Sequence, residues 1–222
     1  MKKVIFGLLL IVGIRTSAYS IEESWFSFGT GFGNYFDSGS DLNNNYFGSP
    51  GINFSGYLFS DQKNTGAFFN YGFLFPVIDN IENNYQPYFM QLDFIMGQGF
   101  RFNLNERLYM HFGAGLAFNI YGFMDEKDIN EKITDSRFSI GIGGDVGVKY
   151  DITDIVYVNF GTALTYNFAG YSVVESTLDN WTNTRLESSD WINGYSMFGI
   201  RPYIAIGFNY YQTKGKWGKP NN

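Results

Sequence analysis

Apolar and polar residues alternate with a period of two in eight stretches of this chain. That is the spacing of a strand with one face against an apolar medium and the other turned away from it. The pattern is clearest from Tyr109 to Tyr121, where Met110, Phe112, Ala114, Leu116, Phe118 and Ile120 alternate with His111, Gly113, Gly115, Ala117 and Asn119. It predicts strands over Ser24 to Phe36, Gly51 to Ser60, Gly66 to Pro76, Tyr88 to Phe102, Leu108 to Phe123, Arg137 to Tyr150, Ile155 to Tyr171 and Gly194 to Tyr211. The connections alternate too. Asp37 to Pro50, Val77 to Pro87, Met124 to Ser136 and Ser172 to Asn193 are long, whereas Asp61 to Thr65, Asn103 to Arg107 and Asp151 to Asp154 are short. Long loops at one end and tight turns at the other are the pattern of an up-and-down barrel in a bacterial outer membrane, with its loops outside and its turns and both termini in the periplasm.

The two faces differ in bulk, and this predicts which one points outward. In the sixth stretch Phe138, Ile140, Ile142, Val146 and Val148 oppose Ser139, Gly141, Gly143, Asp145, Gly147 and Lys149. An eight-stranded barrel has an interior just wide enough for filling side chains or one small ligand, so the bulky face belongs in lipid and the glycine-rich polar face in the lumen. A lipocalin-like soluble barrel would reverse this and put the sparsely charged, glycine-rich face in water. Tyr88, Tyr150, Tyr166 and Tyr210, near strand ends, suit the level of lipid headgroups.

Composition narrows the class. Aromatic residues make up 20% of the 222 positions and charged residues 16%, too few charges to cover a soluble β-protein comfortably. Met1, Lys2 and Lys3, the apolar run Val4 to Ile14 and Ala18-Tyr19-Ser20 have the form of a cleaved export signal over residues 1–20. The barrel then spans 21–211, followed by a short basic tail over 212–222. Without the signal the chain carries 12 basic against 21 acidic residues, a net charge of −9, which argues against a nucleic-acid partner. With no cysteine there is no lipid anchor, disulfide or thiol chemistry.

Six titratable residues fall in the inward phase: Asp93, Arg101, His111, Asp145, Lys149 and Arg201. Charges in a narrow interior must pair, so they predict either a plug of ion pairs or the polar lining of a solute path. His111 is the one histidine and has no second metal-binding residue near it in sequence. No serine–carboxylate constellation accompanies it, so neither a metal, a cofactor nor catalysis is expected. The Gly-x-Gly runs at Gly29 to Gly33 and Gly141 to Gly144 lie within alternating strands, not between a strand and a helix, and do not read as nucleotide loops. Met124 to Ser136 is acidic, and Ser172 to Asn193 carries Trp181 and Trp191, candidates for contact with a host or environmental ligand.

The last stretch, Arg201-Pro202-Tyr203-Ile204-Ala205-Ile206-Gly207-Phe208-Asn209-Tyr210, resembles the closing strand of the OmpW family, in which a proline precedes an alternating run ending on an aromatic residue. OmpA-like and OmpX-like small barrels fit nearly as well. The OmpW resemblance implies a narrow barrel that handles small hydrophobic molecules and releases them sideways through its wall, with Pro202 marking a kink where a ladder hydrogen bond is missing. The chain departs from the pattern of outer-membrane barrels at its end. The terminal aromatic read by the barrel-assembly machinery is followed here by Gln212 to Asn222, with Lys214, Lys216, Trp217 and Lys219. Two functions remain open from the sequence. One is a channel or site for apolar solutes, which a cavity lined by Leu74, Phe89 and Ile95 would favour. The other is a closed structural or adhesive barrel, which a lumen filled by the Asp93, Arg101, Asp145 and Arg201 network would favour.

Overall fold

The computed structural model describes residues 21–37, 45–60, 64–75, 85–87, 91–128, 131–178, 183–211 and 216–217. The candidate export signal, Phe89, Tyr88, Trp181 and most of the basic tail lie outside them. All regular structure among the described residues is β: β1 (Ile21–Asp37), β2 (Asn45–Ser60), β3 (Thr65–Leu74), β4 (Tyr85–Pro87), β5 (Gln91–Asn103), β6 (Leu108–Asp128), β7 (Glu131–Asp151), β8 (Val156–Leu178), β9 (Asn183–Trp191), β10 (Met197–Tyr211) and β11 (Lys216–Trp217). Eight of these close a ring. β1, β2, β3, β5, β6, β7, β8 and β10 pair antiparallel in that order, and β10 returns to β1.

The register sets the dimensions of the barrel. Following paired residues from Ser27 through Ser55, Asn70, Ile95, Ala117, Gly141, Asn167 and Met197 returns to β1 at Asp37, ten residues further on. With ordinary strand spacing, eight strands and this stagger imply a tilt of about 40° and a radius of about 8 Å. At that tilt about ten residues cross an apolar band of roughly 25 Å. Phe28, Phe160, Phe168, Ile142, Ile204 and Ile206 point outward and are exposed, a belt suited to lipid and not to water.

Local chemistry explains the short connections. Asn105 Oδ1 accepts from the backbone N–H of Arg107 and Leu108 at 2.9 and 2.8 Å, and Thr153 Oγ1 does the same for Ile155 and Val156 at 3.2 and 2.9 Å. Each polar side chain satisfies turn amides that the ladder leaves free.

Two expectations are corrected at the other end. Met124 to Ser136 is not a loop: β6 and β7 stay paired up to Asp128 and Glu131. Nor is Ser172 to Asn193, where β8 runs on to Leu178 and turns back as β9, with Tyr171 opposite Trp191 and Leu178 opposite Asn183. These residues pair as strands although their composition is polar, because the neighbouring strand supplies the ladder. Together with β4, which pairs β6, they form a sheet standing beyond the ring. At the chain's end Lys216 and Trp217 pair back onto Tyr211 and Tyr210.

The interior also departs from expectation. The inward face is not only small and polar, because Trp25, Tyr57, Phe59, Phe68, Ile95, Tyr109 and Tyr157 pack there as one cluster. Glycines make the room. A Cβ on Gly113 would lie 2.6 Å from the Phe68 ring, and one on Gly99 2.8 Å from the Tyr57 ring, both inside van der Waals contact. Gly161 and Gly207 leave the same space for Tyr203 and Tyr157. Inward glycines on one strand thus receive inward aromatics from another. Gly113→Ala is expected to destabilise the barrel by about 1–3 kcal/mol through overpacking, and Phe68→Val in the same chain should recover part of that loss. Urea titration of the refolded protein in lipid vesicles measures both; additive losses would refute the interlock.

Candidate functional site

The lumen is where the chain concentrates buried charge. Strand alternation delivers Asp145 and Lys149 from β7, His111 from β6, Asp93 and Arg101 from β5 and Arg201 from β10, all with side chains inside the barrel. They form three levels.

The middle level is a hub around Asp145. Its carboxylate accepts from Tyr57 Oη at 2.6 Å, from Tyr203 Oη at 2.9 Å and from Asn70 Nδ2 at 3.1 Å. His111 Nδ1 lies 3.4 Å from the same carboxylate and 3.0 Å from Tyr57 Oη, while its Nε2 is 2.8 Å from Asn159 Oδ1. Both ring nitrogens are therefore occupied, and His111 has no free nitrogen to offer a substrate or an ion. Among the described residues no three His, Asp or Glu side chains converge as metal ligands.

Above the hub, toward the extended hairpins, Arg201 Nε lies 3.4 Å from Asp93 Oδ2. Its guanidinium also donates to Asn53 Oδ1, to Asn70 Oδ1 at 2.8 Å and to the Tyr71 carbonyl at 3.1 Å. Tyr35 Oη donates to Asp93 at 2.9 Å. Asn70 joins the two levels, giving its amide to Asp145 and its carbonyl to Arg201. The guanidinium occupies the space over Gly72, where a Cβ would meet its Cζ at 2.5 Å.

Below the hub, toward the short turns, Lys149 pairs with Asp151 and sits over the rings of Trp25, Tyr109 and Tyr157 at 4.3, 4.4 and 4.7 Å. Three ring faces around one ammonium replace part of its lost hydration. Arg101 pairs with Glu23 and lies 4.6 Å from the Phe59 ring. Of the six sequence candidates, then, Asp93 pairs with Arg201 and His111 with Asp145, but Arg101 and Lys149 take Glu23 and Asp151. Sequence reasoning misses those two carboxylates, and with them the hydroxyls of Tyr35, Tyr57 and Tyr203. All five share the inward phase of their strands; Asp151 and Tyr203 lie two residues from Lys149 and Arg201, whereas β1 and β2, which supply Glu23, Tyr35 and Tyr57, carry none of the six candidates to count from.

Leu74 and Ile95 do not line a cavity. Ile95 is packed in the lower cluster and Leu74 in an upper one with Tyr35, Tyr121, Tyr195 and Met197. A hollow of about 440 Å³ lies instead at the wall, among Ala114, Ile142, Gly144, Leu164, Tyr166 and Phe198. Pro202 points outward and keeps its register, opposite Thr162 on β8. On its other side the β1–β10 pairing lapses between Gly31↔Tyr203 and Asn34↔Ile200 and resumes without a shift. It therefore interrupts one ladder without shifting the register, as a residue lacking an N–H must.

Beyond the ring the extended sheet is tied by polar side chains. Asp135 accepts from Arg137 at 2.7 Å and from Ser172 Oγ at 2.6 Å, and Ser176 Oγ donates to Glu187 at 2.7 Å. Trp191 is exposed and meets Tyr171 edge to face with centroids 5.5 Å apart. The residues over the mouth of the barrel are Tyr195 and Ile192, not Trp191.

No protein-family model matches the chain, and no curated protein matches it in sequence. Solved structures do. Ail, the attachment invasion locus protein of Yersinia pestis, superposes with a TM-score of 0.51 at 10% identity, over 86% of this chain and 100% of that one. A major outer membrane protein from Thermus thermophilus gives 0.54 at 14%, over 84% and 99%. The chain has the fold of the small bacterial outer-membrane β-barrels, eight strands closed around a lumen of paired charges and aromatic rings.

Proposed function

We propose that this protein is a closed outer-membrane barrel that holds the sheet of β4, β6, β7, β8 and β9 outside the cell as a recognition surface, with both termini in the periplasm. The observation that carries this reading is the filled lumen. Arg201, Asp93, Asp145, His111 and Lys149 are all buried and paired, and aromatic rings pack between them. A channel would have to break those pairs, whereas a platform uses them for rigidity. The polar extensions of β6 to β9 are the part of the molecule free to differ without disturbing the barrel. Ail, named as an attachment invasion locus protein, has a fold on which this chain superposes.

The OmpW-like reading, passage of small hydrophobic molecules through the wall, draws its support from one place, the lapse in β1–β10 pairing beside Pro202. One pair of measurements separates the two. In planar bilayers the refolded protein should add no discrete conductance steps. Bacteria displaying it should adhere to fixed epithelial cells or immobilised matrix proteins, and exchanging residues 173–190 for a short Gly-Ser turn should abolish adherence while leaving the heat-modifiable gel shift of a folded barrel intact. Discrete openings, or adherence indifferent to the exchange, would overturn the platform reading.

A further inference from the structure

On β5 the outward phase runs Phe94, Met96, Gln98, Phe100 and Phe102, so an amide side chain stands near the middle of the lipid-facing belt. Gln98 Nε2 donates to the Gly66 carbonyl at 2.5 Å. Among the described residues it makes no other hydrogen bond, which leaves its Oε1 and its second N–H without partners. Hydrocarbon offers them none, and an unsatisfied polar group there is costly. Thr30, outward on β1, is satisfied within its own barrel, because its single proton goes to the Gly51 carbonyl at 3.0 Å.

Beside Gln98 the belt is hollow. Ala114 is opposite Gln98 and Gly144 opposite Ala114, and both line the depression of about 440 Å³ in the outer wall. The neighbouring rows are bulky, with Met96, Leu116 and Ile142 toward the extended hairpins and Phe100, Phe112 and Val146 toward the short turns. We propose that this wall is the face of a homodimer in the plane of the membrane, in which Gln98 pairs with Gln98 of the partner subunit.

The unmet amide selects the occupant. A lipid chain fills a hollow, but it brings no donor or acceptor to this depth, because the headgroups begin about 12 Å away on either side. A second copy does. Both copies insert in the same direction, so a two-fold axis along the membrane normal sets the same residue at the same depth on each side of the contact. Primary amides are self-complementary, each giving an N–H to the other's carbonyl, and small residues such as Ala114 and Gly144 let two walls approach closely. The opposite wall has no such feature: β10 turns Ile204, Ile206 and Phe208 outward. This proposal goes beyond the recognition reading and does not depend on it.

The chain has no cysteine, so single thiols can be placed at will. Arg107→Cys, in an exposed short turn, takes a donor or an acceptor dye, and energy transfer is followed in lipid vesicles as the protein is diluted with lipid. Transfer should exceed that of randomly mixed monomers and fall along a monomer–dimer curve. Gln98→Leu should weaken association about fivefold, Ala114→Leu, which fills the hollow, at least as much, and Ile204→Phe on the opposite wall not at all. The heat-modifiable gel shift checks that each variant is folded. A second readout leaves Gln98 in place: Ala114→Cys should be joined into covalent dimers by a short bis-maleimide, and Ile204→Cys should not. Transfer no greater than random, association unchanged in Gln98→Leu, or equal crosslinking from the two walls would overturn the proposal and leave the hollow to lipid chains.

Discussion

Replacing Arg201 by leucine should destabilise the barrel by about 3–5 kcal/mol, the usual consequence of leaving a buried partner charge unpaired. Asp93 would keep one bond, from Tyr35, in a lumen that excludes water from the carboxylate. Asn53 and Asn70 would lose a donor as well. The same argument predicts that Asp93→Asn, which removes the stranded charge, restores part of the loss when combined with Arg201→Leu. Urea titrations of the four proteins in lipid vesicles form a double-mutant cycle. Strict additivity would mean that Arg201 and Asp93 do not act as a pair, and the closed-lumen reading would lose its upper layer.

For Asp145 the contrast between two substitutions carries the information. Leucine there removes the acceptor shared by Tyr57, Tyr203 and Asn70 and the carboxylate beside His111. With several buried donors unsatisfied at once, the loss should again be about 3–5 kcal/mol. Asparagine keeps the shape and one acceptor oxygen, and a tyrosyl hydroxyl can rotate to accept from the new amide, so Asp145→Asn should lose less than half as much. The heat-modifiable gel shift and urea midpoints measure both variants. Equal losses would show that packing volume, not hydrogen bonding, is what the position supplies.

Both predictions concern residues that the alternation places inside the barrel, and the reason they are legible is geometric. A strand's side chains change face at every residue, so Asp93, His111, Asp145 and Lys149 belong to the lumen as soon as Phe94, Phe112, Val146 and Val148 belong to lipid. The closing strand is legible for the same reason. Pairing partners are not, because ring order and stagger bring together residues as distant in sequence as Asn53 and Arg201, and no local pattern records that.

The extended hairpins show the limit from the other side. Residues 124–136 and 172–193 read as loops because they lack the apolar belt, yet outside a membrane a strand needs no lipid face, only a neighbour to pair with. The aromatic filling is hidden for a related reason. An inward Phe68 or Tyr203 looks too large for an eight-stranded lumen until the glycine its ring lies over, Gly113 or Gly161, is placed by the closed ring of strands.

By itself, then, the sequence determined the eight strands of the ring, their inward and outward faces and the short turns, because each follows from period-two patterning and turn chemistry within a few residues. Only the tertiary structure decided that the lumen is filled and which carboxylate holds which cation. Those depend on a stagger of ten residues around a closed ring, a property of the whole barrel.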